Sequence, residues 1–156
     1  MRAEGQVILR EGLKITGKAR FIVRDADSGK ILQVAESSNL VVSGGRNLIA
    51  MLLNGESAEL PNYCAVGSGT TAPAVGDTTL EGEIGRLPVT QRTRANNVIT
   101  YGTFFGSADC NGTWNKCGLF NAQTGGTLFA ELLISPPISK DTTKTVDVEY
   151  SVTIGT

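Results

Sequence analysis

Hydrophobic and polar residues alternate more regularly near the C-terminus than anywhere else in the chain. The apolar positions are Val146, Val148, Tyr150, Val152 and Ile154, and the polar positions between them are Thr145, Asp147, Glu149, Ser151 and Thr153. A period of two residues is typical of a β-strand with one buried and one solvated face. The pattern therefore predicts a strand over residues 146–154 whose valines and tyrosine point into a core.

Shorter apolar runs, each bounded by Gly, Asn or Asp, predict further strands upstream. They cover residues 21–23, 31–34, 98–105 and 128–134. Residues 25–29 and 96–97 have the composition of hairpin turns, and residues 124–126 have that of a bend between two strands. Many short strands joined by such turns favour an antiparallel β-sandwich.

One segment has the periodicity of a helix instead. In "SGGRNLIAMLLNGES" Leu48 and Leu52 share one face at helical spacing, as do Ile49 and Leu53. An Asn-Gly pair follows at residues 54 and 55, where a helix commonly stops. The segment predicts a short buried helix over residues 46–53.

The expected fold is therefore all-β, mainly an antiparallel β-sandwich, with one short helix. A chain of 156 residues is long enough for one domain with a substantial core. Apolar residues become dense only after Asn39, so we expect residues 1–38 to form an N-terminal arm or hairpin and residues 39–156 to form the sandwich.

Composition removes several classes of function. The formal net charge of −1 provides no basic field for nucleic acid, and no apolar run is long enough to cross a bilayer. The N-terminus has no signal-peptide core, which leads us to expect synthesis in the cytoplasm. Histidine is absent, which excludes Ser-His and Cys-His nucleophile pairs. We expect no enzyme activity, no cofactor and no bound metal.

Several short segments resemble sites and have a structural alternative. "GSGTT" at residues 67–71 lacks the Gly-Lys-Ser/Thr of a phosphate loop and is better explained as a turn. "DADSG" at residues 25–29 begins like a calcium loop, but strand-like residues follow it, so a hairpin bend explains it. The pair Glu81 and Glu83 is best explained as part of a solvated loop.

The cysteines leave two alternatives open. Cys110 and Cys117 would form a disulfide if they faced each other across a hairpin, which would benefit a particle outside a cell. Reduced, half-buried thiols are the preferred alternative for a protein made in the cytoplasm. Cys64 lies in the apolar run "YCAV" and is expected in the core.

The stretch "CAVGSGTTAPAVGDTTLEGEIGR" resembles a segment of the N-terminal attachment domain of tail-fibre and tail-collar proteins of tailed bacteriophages. In that family a strand ends in a "VGxG" turn and leads to a "D/T-x-x-L-x-x-E-hydrophobic-x-R" segment. The matching residues are Val66, Gly67, Gly69, Asp77, Thr79, Leu80, Glu83, Ile84 and Arg86.

Two more segments extend the resemblance over residues 39–156. "GTWNKCGLFNAQTGGTLFAELLI" is similar to the family's "ExGLFDxxTGxLxA" segment, although Lys116 and Cys117 stand where an acidic and a small residue are usual. "NLVVSGGRNLIAMLLNG" is similar to its opening strand and helix. Residues 1–38 lie outside the resemblance.

The resemblance implies a non-enzymatic virion structural protein of the tail, neck, baseplate or fibre-attachment apparatus. Its partners would be other phage structural proteins, and attachment domains in tail fibres are commonly trimeric. The alternatives are a head decoration protein and a carbohydrate- or surface-binding β-module, for which Trp114, Tyr63 and Tyr101 would supply stacking surfaces. The N-terminal arm would reach a neighbouring subunit, or would fold back on its own domain.

If the protein is a virion structural protein of this kind, the stretch from Cys64 to Arg86 is expected to be an ordered crossover loop. Gly67 and Gly69 would allow a sharp turn, and Pro73 would stiffen the crossing. Leu80 and Ile84 would anchor the chain to the core again. Arg86 would then pair with a carboxylate.

Overall fold

A computed structural model describes residues 12–155, which form two five-stranded antiparallel sheets and one helix. The elements in chain order are β1 Ile15–Asp25, β2 Ile31–Ser38, β3 Leu40–Val41, α1 Ser43–Leu53, β4 Tyr63–Gly67, β5 Glu83–Pro88, β6 Gln91–Ala95, β7 Val98–Phe105, β8 Gly112–Phe120, β9 Leu128–Lys140 and β10 Lys144–Ile154. Sheet A has the order β2-β1-β10-β7-β6, and sheet B has the order β3-β9-β8-β4-β5. The sheets enclose one main core, so the predicted antiparallel sandwich with a short helix is confirmed.

The most regular sequence pattern corresponds to a central strand. β10 lies between β1 and β7 in sheet A. Its buried residues are Val146, Val148, Tyr150 and Val152, while Glu149 on the opposite face is exposed. The predicted assignment of the two faces is confirmed.

The turns are held by the residues that predicted them. The carboxylate of Asp25 accepts hydrogen bonds from the backbone N–H groups of Asp27 (3.0 Å) and Ser28 (2.8 Å) and from the Ser28 hydroxyl. These bonds lower the pKa of Asp25. The "DADSG" segment is therefore an Asx-type hairpin turn, and its first carboxylate is engaged within the turn.

The helix differs from the prediction in two respects. It begins at Ser43, three residues earlier than predicted, and it is only partly buried. Gly45 and Leu48 face the sandwich, whereas Leu53 is 84% exposed. The helix packs on one side only, against β9, so the prediction of a buried helix was wrong. The chain leaves the helix at Gly55, whose φ of 75° is the left-handed conformation expected after a helix end.

The N-terminal hairpin is part of the sandwich from Ile15 onward. β1 pairs with β10 over eleven residue pairs and with β2 on its other side. Its inward residues Phe21 and Val23 belong to the main core. Over residues 15–38 the hairpin therefore folds back on its own domain, so the sandwich begins at Ile15 and not at the expected residue 39. Residues 1–11 of the expected arm lie outside the described residues.

Aromatic and sulfur-containing side chains fill the middle of the core. The rings of Phe105 and Trp114 meet edge to face with centroids 4.9 Å apart, and the Trp114 indole N–H donates to the carbonyl of Cys110 at 2.7 Å.

The cysteines are free thiols. The Sγ atom of Cys117 lies 3.6 Å from that of Cys64, and Cys117 does not face Cys110. Burial raises the pKa of the Cys117 thiol well above its ordinary value. Cys64 lies in the core, as the sequence predicted.

Within residues 12–155, no helix has the length and apolar character needed to span a membrane.

Candidate functional site

The connection between β4 and β5 crosses the outer face of sheet B. We call residues 68–82 the covering loop. Its Leu80 side chain is buried in a second apolar cluster, outside the main core, whose other members are Val42, Ala65, Phe120 and Leu128. Ile84, just after the loop, packs partly buried against the main core. Both residues lie where they can anchor the connection, as the sequence predicted.

Gly67 and Gly69 are required for space rather than for an unusual backbone conformation. Neither has a positive φ. A Cβ at Gly67 would lie 2.7 Å from the carbonyl oxygen of Glu81, and a Cβ at Gly69 would lie 2.1 Å from a carboxylate oxygen of the same residue. The two ends of the covering loop therefore touch at the glycines, which corrects the conformational explanation offered from the sequence.

Two acidic side chains hold the loop internally. Glu81 accepts hydrogen bonds from the Thr71 backbone N–H (2.9 Å) and hydroxyl (2.8 Å), and these bonds lower its pKa. Asp77 accepts a bond of 2.8 Å from the N–H of Ala74. Pro73 lies half-buried between these bonded residues. The loop is thus ordered by its own polar groups as well as by Leu80.

Arg86 joins the end of the covering loop to the β8–β9 connection. Its guanidinium makes two hydrogen bonds to the Glu83 carboxylate (2.7 and 2.9 Å) and donates to the carbonyls of Ala122 (2.8 Å) and Gly125 (2.9 Å). It also lies 3.7 Å above the ring centroid of Phe120. The predicted carboxylate partner of Arg86 is therefore Glu83, and the contact is bidentate.

A buried ion pair lies beneath the loop. Lys116 on β8 and Glu131 on β9 are separated by 3.3 Å between Nζ and Oε1, and their side chains are 3% and 0% exposed. Glu81 approaches the same amine to 3.9 Å. Sequence reasoning missed this pair. The available signal was a charged residue within each of two otherwise apolar strands, which implies a buried partner.

Asp77 of the covering loop completes the cluster, because its carboxyl lies within hydrogen-bonding reach of the Glu131 carboxyl. Burial, together with this neighbouring carboxyl, raises the pKa of Glu131 from 4.5 to about 7, although Lys116 acts in the opposite direction. The same contact lowers the pKa of Asp77. No donor to Oε2 of Glu131 is found among residues 12–155, so a proton on Glu131 would satisfy the contact between two groups that otherwise only accept.

The cluster has the chemistry of a structural link. Among the described residues, no group of three or more Cys, Asp or Glu side chains is arranged to hold a metal ion. The amine and the central carboxyl are enclosed between sheet B and the covering loop. The arrangement fastens a loop to a sheet through charge and hydrogen bonding.

The aromatic residues considered as a stacking surface do not form one. Trp114 is 0% exposed and Tyr101 is 6% exposed, and Tyr63 packs half-buried against the second apolar cluster. A sugar-stacking surface requires exposed ring faces. The structure therefore removes the basis on which a carbohydrate-binding module was considered.

Substituting Gly69 tests the close approach inside the covering loop. We expect Gly69→Ala to displace the Glu81 side chain from Thr71 and to lower the free energy of unfolding by about 1–2 kcal/mol, measured by urea denaturation. Gly76→Ala in the same loop is the matched control, because a Cβ there meets nothing within 4 Å. Equal effects of the two substitutions would contradict the proposed role of Gly69.

A scan against models of known protein families gives no match to this sequence, and a search of curated proteins gives none either.

Proposed function

We propose that this protein is a non-enzymatic structural subunit of a bacteriophage virion, in the tail, neck, baseplate or fibre-attachment apparatus. The observation that carries the proposal is a contact between the two longest segments of family resemblance. Arg86, from the first segment, binds the carbonyl of Gly125 and stacks on Phe120, both from the second. Leu80 of the first lies against Gly118 and Leu128 of the second. Residues that match the family motif thus form one structural unit.

The use of charged groups supports a structural role. Charged side chains such as Arg86 and Lys116 are bonded within the fold, where they join loops to strands. Nucleophilic catalysis usually places a nucleophile within reach of a general base, and the chain lacks histidine, the most common of these bases. We therefore expect this fold to act through the surfaces by which it contacts other proteins.

The sheet edges support assembly with other subunits. β2 is an edge strand of sheet A, and its Ile31, Leu32 and Val34 side chains are exposed. Exposed apolar edge strands are usually paired or covered in the functional state. We propose that such edges are covered within a homo-oligomer, with a trimer favoured, and by neighbouring virion proteins.

Electron microscopy of particles labelled on this protein tests the proposal. We expect label at one fixed position on the tail, neck or baseplate, with three copies per position after averaging. Label spread over the head would favour the head-decoration alternative. Purified particles that carry no label, with the free protein detected outside them, would contradict a virion role.

A further inference from the structure

We propose that the covering loop is fastened to sheet B by a proton shared between Glu131 and Asp77, so that the loop is held tightly in acid and loosens as the pH rises towards neutrality. This inference concerns the fold itself and does not depend on a virion role. It rests on three features of the site. Glu131 is buried, its Oε2 atom accepts no hydrogen bond from a donor among residues 12–155, and Asp77 of the loop faces it.

Glu131 and Asp77 come from different parts of the fold. Glu131 belongs to β9, between β3 and β8 in sheet B, where it pairs with Gly118 on one side and Leu40 on the other. Asp77 belongs to the covering loop, whose Val75 carbonyl accepts a hydrogen bond of 2.7 Å from the N–H of Ser43 at the start of α1. A bond between the two carboxyls therefore ties the loop to the sheet.

The charges around Glu131 determine what its ionisation does. Lys116 faces it from β8, and Asp77 and Glu81 face this amine and carboxyl from the loop. Tyr150 of β10 lies nearby, but burial holds the pKa of its phenol well above the ordinary value, so it stays neutral. When Glu131 is protonated, one lysine faces two carboxylates. When Glu131 ionises, one lysine faces three.

Ionisation of Glu131 also removes the donor of the fastening bond. Two carboxylates in contact both accept hydrogen bonds, and their like charges repel while Glu131 itself is closed to water. Opening the loop relieves this repulsion because it hydrates Glu131. Because the pKa of Glu131 is raised to about 7 in the closed state, the closed loop loses stability relative to the open loop between roughly pH 4.5 and pH 7.

The upward shift of the Glu131 pKa determines that acid favours the closed loop. A carboxyl whose pKa is higher in the closed state than in the open state binds more protons when closed, so acid favours closure. If the open loop restores the ordinary pKa of Glu131, the opening equilibrium rises roughly thirtyfold between about pH 5.5 and pH 8.5.

Loosening would uncover a defined surface. Leu80 would leave the second apolar cluster, and Phe120, Leu128 and Ala65 would lose their cover on the outer face of sheet B. The strands themselves remain paired, because the main core on the other face of the sheet is not involved. The change is local to one side of the sandwich.

Hydrogen exchange of the full-length protein tests the proposal. We expect the amides of Gly69, Thr71 and Ala74, which are bonded within the loop, to lose tenfold to thirtyfold of their protection between about pH 5.5 and pH 8.5, after correction for intrinsic exchange rates. Amides of β1 and β10 should keep their protection. Glu131→Gln, which retains a donor to Asp77 at every pH, should remove the pH dependence from the loop.

Two further variants and one direct measurement complete the test. Asp77→Asn should flatten the same dependence, and Glu83→Gln should leave it unchanged, because Glu83 pairs with Arg86 outside the cluster. Carbon-13 NMR titration of the Glu131 carboxyl in the unmodified protein gives its pKa even if a variant fails to fold. A midpoint below about pH 5, or loop protection that does not change with pH, would overturn the proposal.

Discussion

Val148→Asp is expected to unfold the protein at room temperature. Val148 lies on the buried face of β10, between Phe21 of β1 and Thr103 of β7, and it belongs to the main core. A carboxylate there has no cation within the core to pair with and would be desolvated on every side. We expect a loss of more than about 4 kcal/mol in the free energy of unfolding, a large fraction of the stability of a domain this size. Circular dichroism and urea denaturation measure it.

Glu149→Ala and Thr153→Ala are the matched controls for this substitution. Both residues belong to β10, but their side chains leave the opposite face of the strand. Each change should alter the free energy of unfolding by no more than about 0.5 kcal/mol. Similar melting temperatures for all three variants would show that the assignment of the two faces is wrong.

Lys116→Met is expected to destabilise the protein by about 3 kcal/mol near pH 8. The substitution keeps the length and apolar stem of the side chain but leaves Glu131 without its cation in a buried site. At about pH 5 the loss should be smaller, because the raised pKa of Glu131 means that its carboxyl is then protonated and needs no cation. Thermal denaturation at the two pH values measures the difference.

An exposed ion pair of the same chain provides the control. Lys18 and Glu36 are 3.4 Å apart, with side chains 62% and 51% exposed. Lys18→Met should change the stability by less than about 1 kcal/mol at either pH, since solvent screens such pairs. If Lys116→Met were equally mild at pH 8, burial of the Lys116–Glu131 pair would contribute nothing measurable.

Local patterns in the sequence were sufficient for much of the fold. The alternation along residues 146–154 and the Asp-rich turn at residues 25–29 identified elements that the structure contains. For the loop, the sequence identified Leu80 as an anchor and Arg86 as the partner of a carboxylate. These predictions succeeded because each depends on residues close together in the chain, or on whether a side chain is apolar.

Predictions that depended on distant neighbours fared less well. The helix was expected to be buried, but sheet B covers only one of its sides, and Leu53 faces solvent. Gly69 was assigned to a backbone conformation, whereas its role is set by Glu81, twelve residues away. Trp114 was considered for an exposed surface, yet it lies at the centre of the core.

The sequence by itself determined the positions of several strands and turns, the two faces of the last strand and the presence of one short helix. Only the tertiary structure decided the order of the strands in each sheet and the meeting of Lys116, Glu131 and Asp77 beneath one loop. The physical reason is that periodicity reports whether a side chain is buried, while the partner of a buried charge depends on which strands pair. Glu131 owes its raised pKa to that pairing, because β9 places it in a closed site beside a carboxyl more than fifty residues away in sequence.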